Sequence, residues 1–551
     1  MENRESGIEH RPLSLATAKT YLRSSILDLR SLIRVDWLVH GTVALVFSGL
    51  LLAYIQFAGP NIVDYDGYYH IKMAELIREQ GIPVKFPWLK FTIIDEQGYT
   101  DHHLLLHIFQ IPFTFIGDLR LAAKLAPIAF AAFAFTVFYL VIWRYGIRYP
   151  FLWLIMLFAS SSPFLYRMSM PRGQSVSLAF QFIAFHLIMT RSAVGLVILS
   201  AIFVWAYNGF PILIPMVLFG VLTHYLTEKK IEYKLVVGVG AGIAAGLLVN
   251  PYFPRNVLFI WNHIVPKLFA TEYATSVGSE WYPYNSWAFF TLSLVALLAY
   301  FGAVLVTNRE EWRQDKPRLF WFFVSTMYLF LLLKSRRFVE YFPPSAVMFL
   351  AFSLRGWLKD LNLARWLRTE ARVVGVIVAS LLLLVAFQST IKAVREDIAK
   401  RPPSDAYKGG AEWLAQHTPE GSTVFHTDWD DFPMLFFYNT HNTYLVGLDP
   451  DFMRLKDERL FRQWEAITRG KVPHPEDDIL HVYGCEYVIT DNKHGDFIAI
   501  ANRSPRMEKV YSDRFTTVYH VLEAPETRNR NSETGSQQPD TSHEPSPILS
   551  K

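Results

Sequence analysis

Three observations predict a polytopic α-helical membrane protein with a C-terminal water-exposed α/β domain. The 551 residues are 52% hydrophobic and 15% aromatic, with a mean hydropathy of +0.19. That is too apolar for an ordinary soluble enzyme, and charge interrupts it too often for the whole chain to lie in lipid. Between residues 37 and 391 the apolar residues fall in runs separated by short basic loops, and a bilayer crossing takes about 20 of them. From residue 392 the composition becomes that of a globular fold, long enough to bury its own core. A net charge of +4, spread over the loops, argues against a polyanion-binding surface, so no nucleic acid is expected as partner. Cys485, the single cysteine, excludes an intramolecular disulfide and reads as a small buried strand residue.

Residues 1–36 carry Arg4, Arg11, Lys19, Arg23, Arg30 and Arg34, which places this segment in the cytoplasm. It has no short apolar core with a cleavage site, so the first span, about 37–58, is expected to be its own anchor. The loop 59–120 then lies outside. His70 to Ile82 puts Ile71, Ala74, Leu76 and Ile77 on one side and predicts an interfacial helix. Asp118, Arg120 and Lys124 split the next apolar run, which makes 104–117 re-entrant or interfacial and about 121–143 the second span.

Further spans are expected at about 149–166, 175–190, 194–207, 210–226, 235–252, 287–307, 317–334, 338–355 and 373–391. Arg144 and Arg148, then Arg191, then Lys229, Lys230 and Lys234 mark alternate turns as cytoplasmic. So do Arg309, Arg313, Lys316 and Arg318, and later Arg355, Lys359, Arg365, Arg368 and Arg372. About eleven crossings leave two large outer loops, 59–120 and 250–286, and put residues 392–525 on the same side as Asp66. Within that last region a helix at 407–417 and strands at 422–426, 444–448, 487–490 and 515–522 are predicted. Residues 526–551, rich in Ser, Pro, Glu, Asn and Gln, have too little apolar surface to fold and read as disordered.

The outer loops hold polar residues that a membrane bundle does not need. Asp64 and Asp66, two apart just beyond the first span, point the same way if extended and can share one cation or one polar group. Asp101, His102 and His103 offer metal-ligand or proton-handling chemistry; alone, such residues form an interfacial hydrogen-bonding cluster. Arg167 and Arg172 suit a lipid phosphate or snorkel to headgroups. Arg336 and Arg337, with Glu340 a turn on, suit bidentate capture of phosphate or pyrophosphate. Glu280 is the acid of the second long loop, and Asp428-Trp429-Asp430-Asp431 follows a predicted strand.

With these residues in view, the chain resembles the GT-C superfamily of polyprenyl-phosphate-sugar-dependent glycosyltransferases, and within it the catalytic subunit of oligosaccharyltransferases. Asp66-Gly67-Tyr68-Tyr69-His70-Ile71-Lys72 resembles the first-loop motif, and Ser276-Val277-Gly278-Ser279-Glu280 the motif of the fifth outer loop. Arg336-Arg337-Phe338 is similar to the late arginine that meets lipid pyrophosphate, and Trp429-Asp430 to the core of the Trp-Trp-Asp-Tyr-Gly motif that reads the acceptor sequon. The likeness covers about residues 37–520. It implies a divalent metal, Mn2+ or Mg2+, on Asp66 with Asp64, Asp101, His102 and Glu280 as further candidates. It also implies donor phosphates on Arg336, Arg337 and Arg167, catalytic roles for Asp66, Glu280 and Asp64, and acceptor binding by Trp429, Asp430 and Asp431.

Two departures stand out. Where the family carries a second acidic motif after the outer arginine, this chain reads Arg172-Gly173-Gln174-Ser175, and the sequon motif keeps only its Trp-Asp pair. The reading is a membrane glycosyltransferase moving a glycan from a polyprenyl-(pyro)phosphate donor to an acceptor on the outer face, protein asparagine first, in a bacterial inner membrane and among membrane lipids. A lipid or polysaccharide acceptor is the alternative within the class. A lipid-linked glycan flippase is the alternative outside it, and an inactive scaffold a third. A flippase predicts repeated halves with charge at mid-membrane, whereas here charge gathers at the outer boundary.

Overall fold

The computed structural model describes residues 35–95, 98–264, 278–307 and 314–524. The basic N-terminal segment, Ser276 and Val277 of the loop motif, Arg309, Arg313 and the tail from 526 lie outside the described residues.

Each of the eleven predicted crossings is helical. Six helices among the described residues are long and apolar enough to span a bilayer, and a seventh counts if the pair Pro150–Ala159 and Ser162–Met168, bent by 97°, is one span. Gln174–Met189, Ala193–Ala206 and Tyr233–Leu248 are apolar but only 14 to 16 residues long. At about 1.5 Å rise per residue they fall short of a hydrocarbon layer about 30 Å thick. The helix Phe342–Asp360 follows the expected ninth turn but carries more polar sequence. The segment expected to be re-entrant or interfacial holds the 11-residue helix Leu104–Thr114.

Successive turns alternate between two ends of the bundle. At one end Arg148 donates to the carbonyls of Leu358 and Leu361 at 3.0 and 2.8 Å, and Arg355 pairs with Asp315 at 2.9 Å. Glu228 there meets both Lys316 and Arg191. These are the loops whose basic residues predicted a common side. At the other end Lys124 donates to the Asn61 carbonyl at 3.2 Å and Asn61 to the Arg401 carbonyl at 2.7 Å. Tyr166 donates there to the Val63 carbonyl at 2.8 Å.

The main core lies between the helices, around Phe135, Phe138, Phe164, Phe182, Phe185 and Trp321. Large apolar side chains on the outer surfaces, Leu305, Leu50 and Leu382 among them, are exposed, as lipid-facing positions should be.

The C-terminal region is a mixed sheet of β1 (Thr423–His426), β2 (Thr443–Tyr444), β3 (Tyr487–Asp491), β4 (Met507–Ser512) and β5 (Thr516–Val521) in the order β2-β1-β3-β5-β4. β1 pairs in parallel with β2 and β3, while β5 is antiparallel to β3 and β4. β4 was not foreseen. As an edge strand bonded only to β5 it buries Met507 but exposes Glu508 and Lys509, and such a strand lacks a clear apolar alternation. Cys485 is buried two residues before β3.

The loop that follows the first span is built into this sheet. Leu89 bridges to Tyr444 in parallel, and Trp88 Nε1 donates to the Thr440 carbonyl at 2.8 Å. Tyr68 meets Phe437 edge-on at 5.4 Å between centroids, and Phe86 stacks on Tyr99 at 4.4 Å and lies against Phe436. Each such pair adds about 0.5–1.5 kcal/mol beyond its burial. The helix expected at the membrane interface is therefore enclosed: Asp66–Gln80 buries Tyr68, Tyr69, His70, Ile71, Met73, Ala74, Leu76 and Ile77, because the sheet region covers the side that a bilayer surface would have left wet.

Candidate functional site

Asp66 opens its helix, where the unpaired N–H groups and the helix dipole favour a carboxylate. Gly67 follows, and a Cβ there would overlap Pro171 Cγ and come within 2.9 Å of Ile62 Cγ2. The missing side chain thus lets the Met170–Arg172 segment lie against the helix start. Gln110 fixes that segment by donating to the Pro171 carbonyl at 3.0 Å. Gly173 packs flat on Tyr207, where a Cβ would lie 2.5 Å from Cδ2. The consequence is a fork. Arg172 Nη2 pairs with Asp66 Oδ2 at 2.8 Å, and Arg172 Nε donates to Asp64 Oδ2. Burial pushes the Asp66 carboxyl up to about 7; Arg172 opposes the rise and the charges of Asp64 and Glu280 add to it.

A second group forms around Glu280. Its carboxylate accepts from Arg167 Nη1 at 2.7 Å and from Arg337 Nη1 at 3.3 Å. Burial works against that charge, but Arg167, Arg337 and Arg172 hold the carboxyl well below the usual range. Arg167 is brought there by the 97° bend at Ser160 and Ser161, and its other side pairs with the fully buried Glu340. Arg337 also donates to Tyr207 Oη at 2.8 Å and lies over the Trp281 ring at 4.9 Å. Ser335 Oγ donates to the Glu280 carbonyl at 2.8 Å, which ties the end of the loop to the arginine turn. Arg336 is turned away: its Nε donates to the Pro283 carbonyl at 3.1 Å and its guanidinium covers Tyr284. Two guanidinium groups closing on one carboxylate form an anion site.

Asp101, His102 and His103 form a third group. Asp101 accepts from the His103 backbone at 2.9 Å and pairs with His107 Nδ1 at 2.7 Å, and His107 Nε2 lies 2.7 Å from His70 Nδ1. His102 stacks on Phe259, and burial lowers its pKa to about 4. Asp101, His107 and His70, a carboxylate and two rings in line, make a hydrogen-bonded chain that ends on the Asp66 helix.

The sheet region supplies the fourth group. Asp430 is felt by Asp66, Asp64 and Arg172; burial, reinforced by Asp66 and Asp428, pushes it up to about 8. Asp431 accepts from Tyr407 Oη, and burial keeps it well above its usual value. Trp429 packs against the cluster of Phe425, Phe461 and Trp464 under the sheet. Of the three residues named for acceptor binding, Asp430 is the one that shares the field of the aspartate pair.

The five residues named as metal ligands are not assembled. Asp64 and Asp66 share Arg172, Glu280 is taken by Arg167 and Arg337, and Asp101 and His102 belong to the histidine group. Among the described residues no group of three or more His, Cys, Asp or Glu side chains could hold a metal ion. The physical reason is charge: each candidate carboxylate has its own counter-charge or hydrogen-bond donor, and only two of the five converge. Sequence reading missed His107, Tyr207 and Asp449, whose charge reaches both Asp66 and His102. An Asp before Pro450 at a helix start reads as an ordinary cap, which is why nothing singled it out.

No protein-family profile and no curated protein matches this sequence. Solved structures do. The archaeal oligosaccharyltransferase AglB of Archaeoglobus fulgidus, in complex with an inhibitory peptide and a dolichol-phosphate, superimposes with a TM-score of 0.58 at 13% identity, over 84% of this chain and 70% of that one. ArnT of Cupriavidus metallidurans in the apo state gives 0.54 at 14% identity, over 87% of this chain and 97% of that one. Its form bound to undecaprenyl phosphate gives 0.51. At 13–14% identity these likenesses show the fold. The fold is thus of the GT-C type: a multi-span helical membrane protein carrying a mixed α/β sheet region.

Proposed function

We propose that this chain is a membrane glycosyltransferase of the GT-C type, moving a glycan from a polyprenyl-(pyro)phosphate donor to an acceptor at the end of the bundle where the sheet region sits. The observation that carries the reading is the pairing of an anion site, Arg167 with Arg337, beside a carboxylate pair, Asp64 with Asp66, under one roof. Glycosyl transfer from a phosphate-linked donor needs both. Arginines stabilise the charge that collects on the leaving phosphate, and a carboxylate accepts the proton of the attacking group. Asp66 is assigned to the acceptor, Asp64 to holding Arg172, and Arg337 and Arg167 to the donor phosphate. Glu280 holds those arginines together when no phosphate is present. Arg336 is assigned to the loop it touches. The polyprenyl tail lies among the apolar outer surfaces, in the membrane.

Protein asparagine is the first acceptor, supported by Asp430, which stands next to Trp429 and shares the field of Asp66. A lipid or glycan hydroxyl is the second. The topology proposed with it has residues 1–36 inside, the bundle 37–391 as catalytic unit and 392–525 outside, in a bacterial inner membrane. The test is glycan transfer by purified protein from a lipid-linked oligosaccharide to a fluorescent Asn-x-Thr peptide, with Asp66→Ala beside the parent. Peptide transfer that needs Asp66 supports the first acceptor. Transfer only to a lipid or polysaccharide moves the reading to the second, and no Asp66-dependent transfer to either overturns it.

A further inference from the structure

We infer that the guanidinium of Arg172 is the fixed cation of this centre, holding Asp64 and Asp66 where a divalent metal ion would otherwise be required. The inference deepens the transferase reading and rests on it for its catalytic arm only. Four observations carry it. Arg172 contacts both carboxylates through different nitrogens, Nε to Asp64 and Nη2 to Asp66 at 2.8 Å, so it bridges them as one ion would. The backbone that presents it is locked on three sides, by the Gly67–Pro171 approach, the Gln110 hydrogen bond and the Gly173–Tyr207 contact. Gln174, in the stretch where the resembling family carries its second acidic motif, is buried and neutral. Its amide nitrogen lies 3.5 Å from Met170 Sδ and its Oε1 has no partner. Finally, the two other acids that the resemblance names for the metal are committed elsewhere, Glu280 to Arg167 and Arg337 and Asp101 to His107.

The charges close on this arrangement. With Asp66 ionised, two carboxylates and one guanidinium leave a single negative charge, enough to attract one proton of an incoming N–H or O–H. A dication placed beside Arg172 would face a positive neighbour with only two carboxylates to share. A guanidinium does not lose its proton and presents five donors in a rigid fork, so it orients both carboxylates while leaving Asp66 a free lone pair toward the acceptor. What it cannot do is dissociate. Chelators and divalent ions should therefore have no purchase on this centre.

Two measurements on the detergent-purified full chain test this. Manganese(II) is titrated into the parent and Asp66→Asn while free ion is followed by its EPR signal, and transfer is assayed in EDTA and for Arg172→Gln. We expect no bound manganese that Asp66→Asn releases, transfer in EDTA within twofold of that without it, and a loss of about 100-fold or more in Arg172→Gln, the scale of a positioned charge in catalysis. One manganese per parent chain that Asp66→Asn releases overturns the inference. So does transfer abolished by EDTA and restored by manganese, or full transfer by Arg172→Gln. If Arg172→Gln does not elute as a single species, Arg172→Lys takes its place: it keeps the charge but not the fork, a loss of about tenfold is expected, and unchanged transfer overturns the inference. A parent with no transfer at all removes the proposed function instead and leaves the manganese titration to decide the role of Arg172.

Discussion

The molecule contains two acid pairs of the same pattern, Asp64-Tyr65-Asp66 at the start of the buried helix and Asp428-Trp429-Asp430 after β1. Each is two carboxylates around one aromatic residue. Around the first, Arg172 reaches both carboxylates. Around the second, among the described residues, no arginine does: Asp428 is half-exposed and lies 4.0 Å from His494, and Asp430 is driven by burial to about 8. One pair is bridged by a guanidinium and the other is not, while burial raises the carboxyls of Asp66 and Asp430 alike. Sequence pattern names the groups, and the third partner decides how they are held.

The largest effect expected from this contrast is on transfer. Asp66→Asn should lower it about 10³-fold, within the range for a lost acid–base group, whereas Asp430→Asn, which mimics the protonated form, should cost less than about tenfold. Equal losses would mean that the two pairs act as one. Next comes Gly67→Ala, which leaves every charge in place but wedges Pro171 away from the helix. A shift near 1 Å can cost about 100-fold, so kcat should fall by that order while the protein remains monodisperse. Arg337→Ala should raise the KM for the lipid-linked donor about tenfold, as one charge-assisted hydrogen bond is worth, with the acceptor KM unchanged.

The smallest effect is on stability. A carboxyl whose folded pKa is raised favours folding only while protonated, so its contribution is complete below the unfolded value, near 4, and is lost as pH rises through about 8. Asp430→Asn should therefore raise the melting temperature, with the gain growing from pH 5 to 8. A gain that does not change with pH would assign it to packing instead.

The fold was largely legible in the sequence because lipid imposes length and composition on each helix, and basic loops record which turns share an end. Arg148, Arg191, Lys316 and Arg355 do come together. The number of full-length spans was less legible: Gln174–Met189 and Ala193–Ala206 are as apolar as their neighbours but shorter, and hydropathy does not see where a helix stops. The site was legible as a set of residues and not as a set of pairs. Glu280, Arg167 and Arg337 meet, yet the metal constellation does not, because Asp66 is taken by Arg172 through the close approach that Gly67 permits, and such an approach leaves no mark in spacing. The burial of the Asp66 helix was missed for a related reason, since its cover is supplied by residues more than 350 positions away.

That distance also sets a clock. Trp88 donates to a carbonyl 352 residues further along the chain, so the wall that encloses Asp66 does not exist until nearly the whole polypeptide has been made. At about 5–20 residues per second, the first loop waits about 20–70 s with its aromatic face uncovered. A nascent chain is for that interval inserted but incomplete, and competence to react arrives late, as a property of the finished molecule.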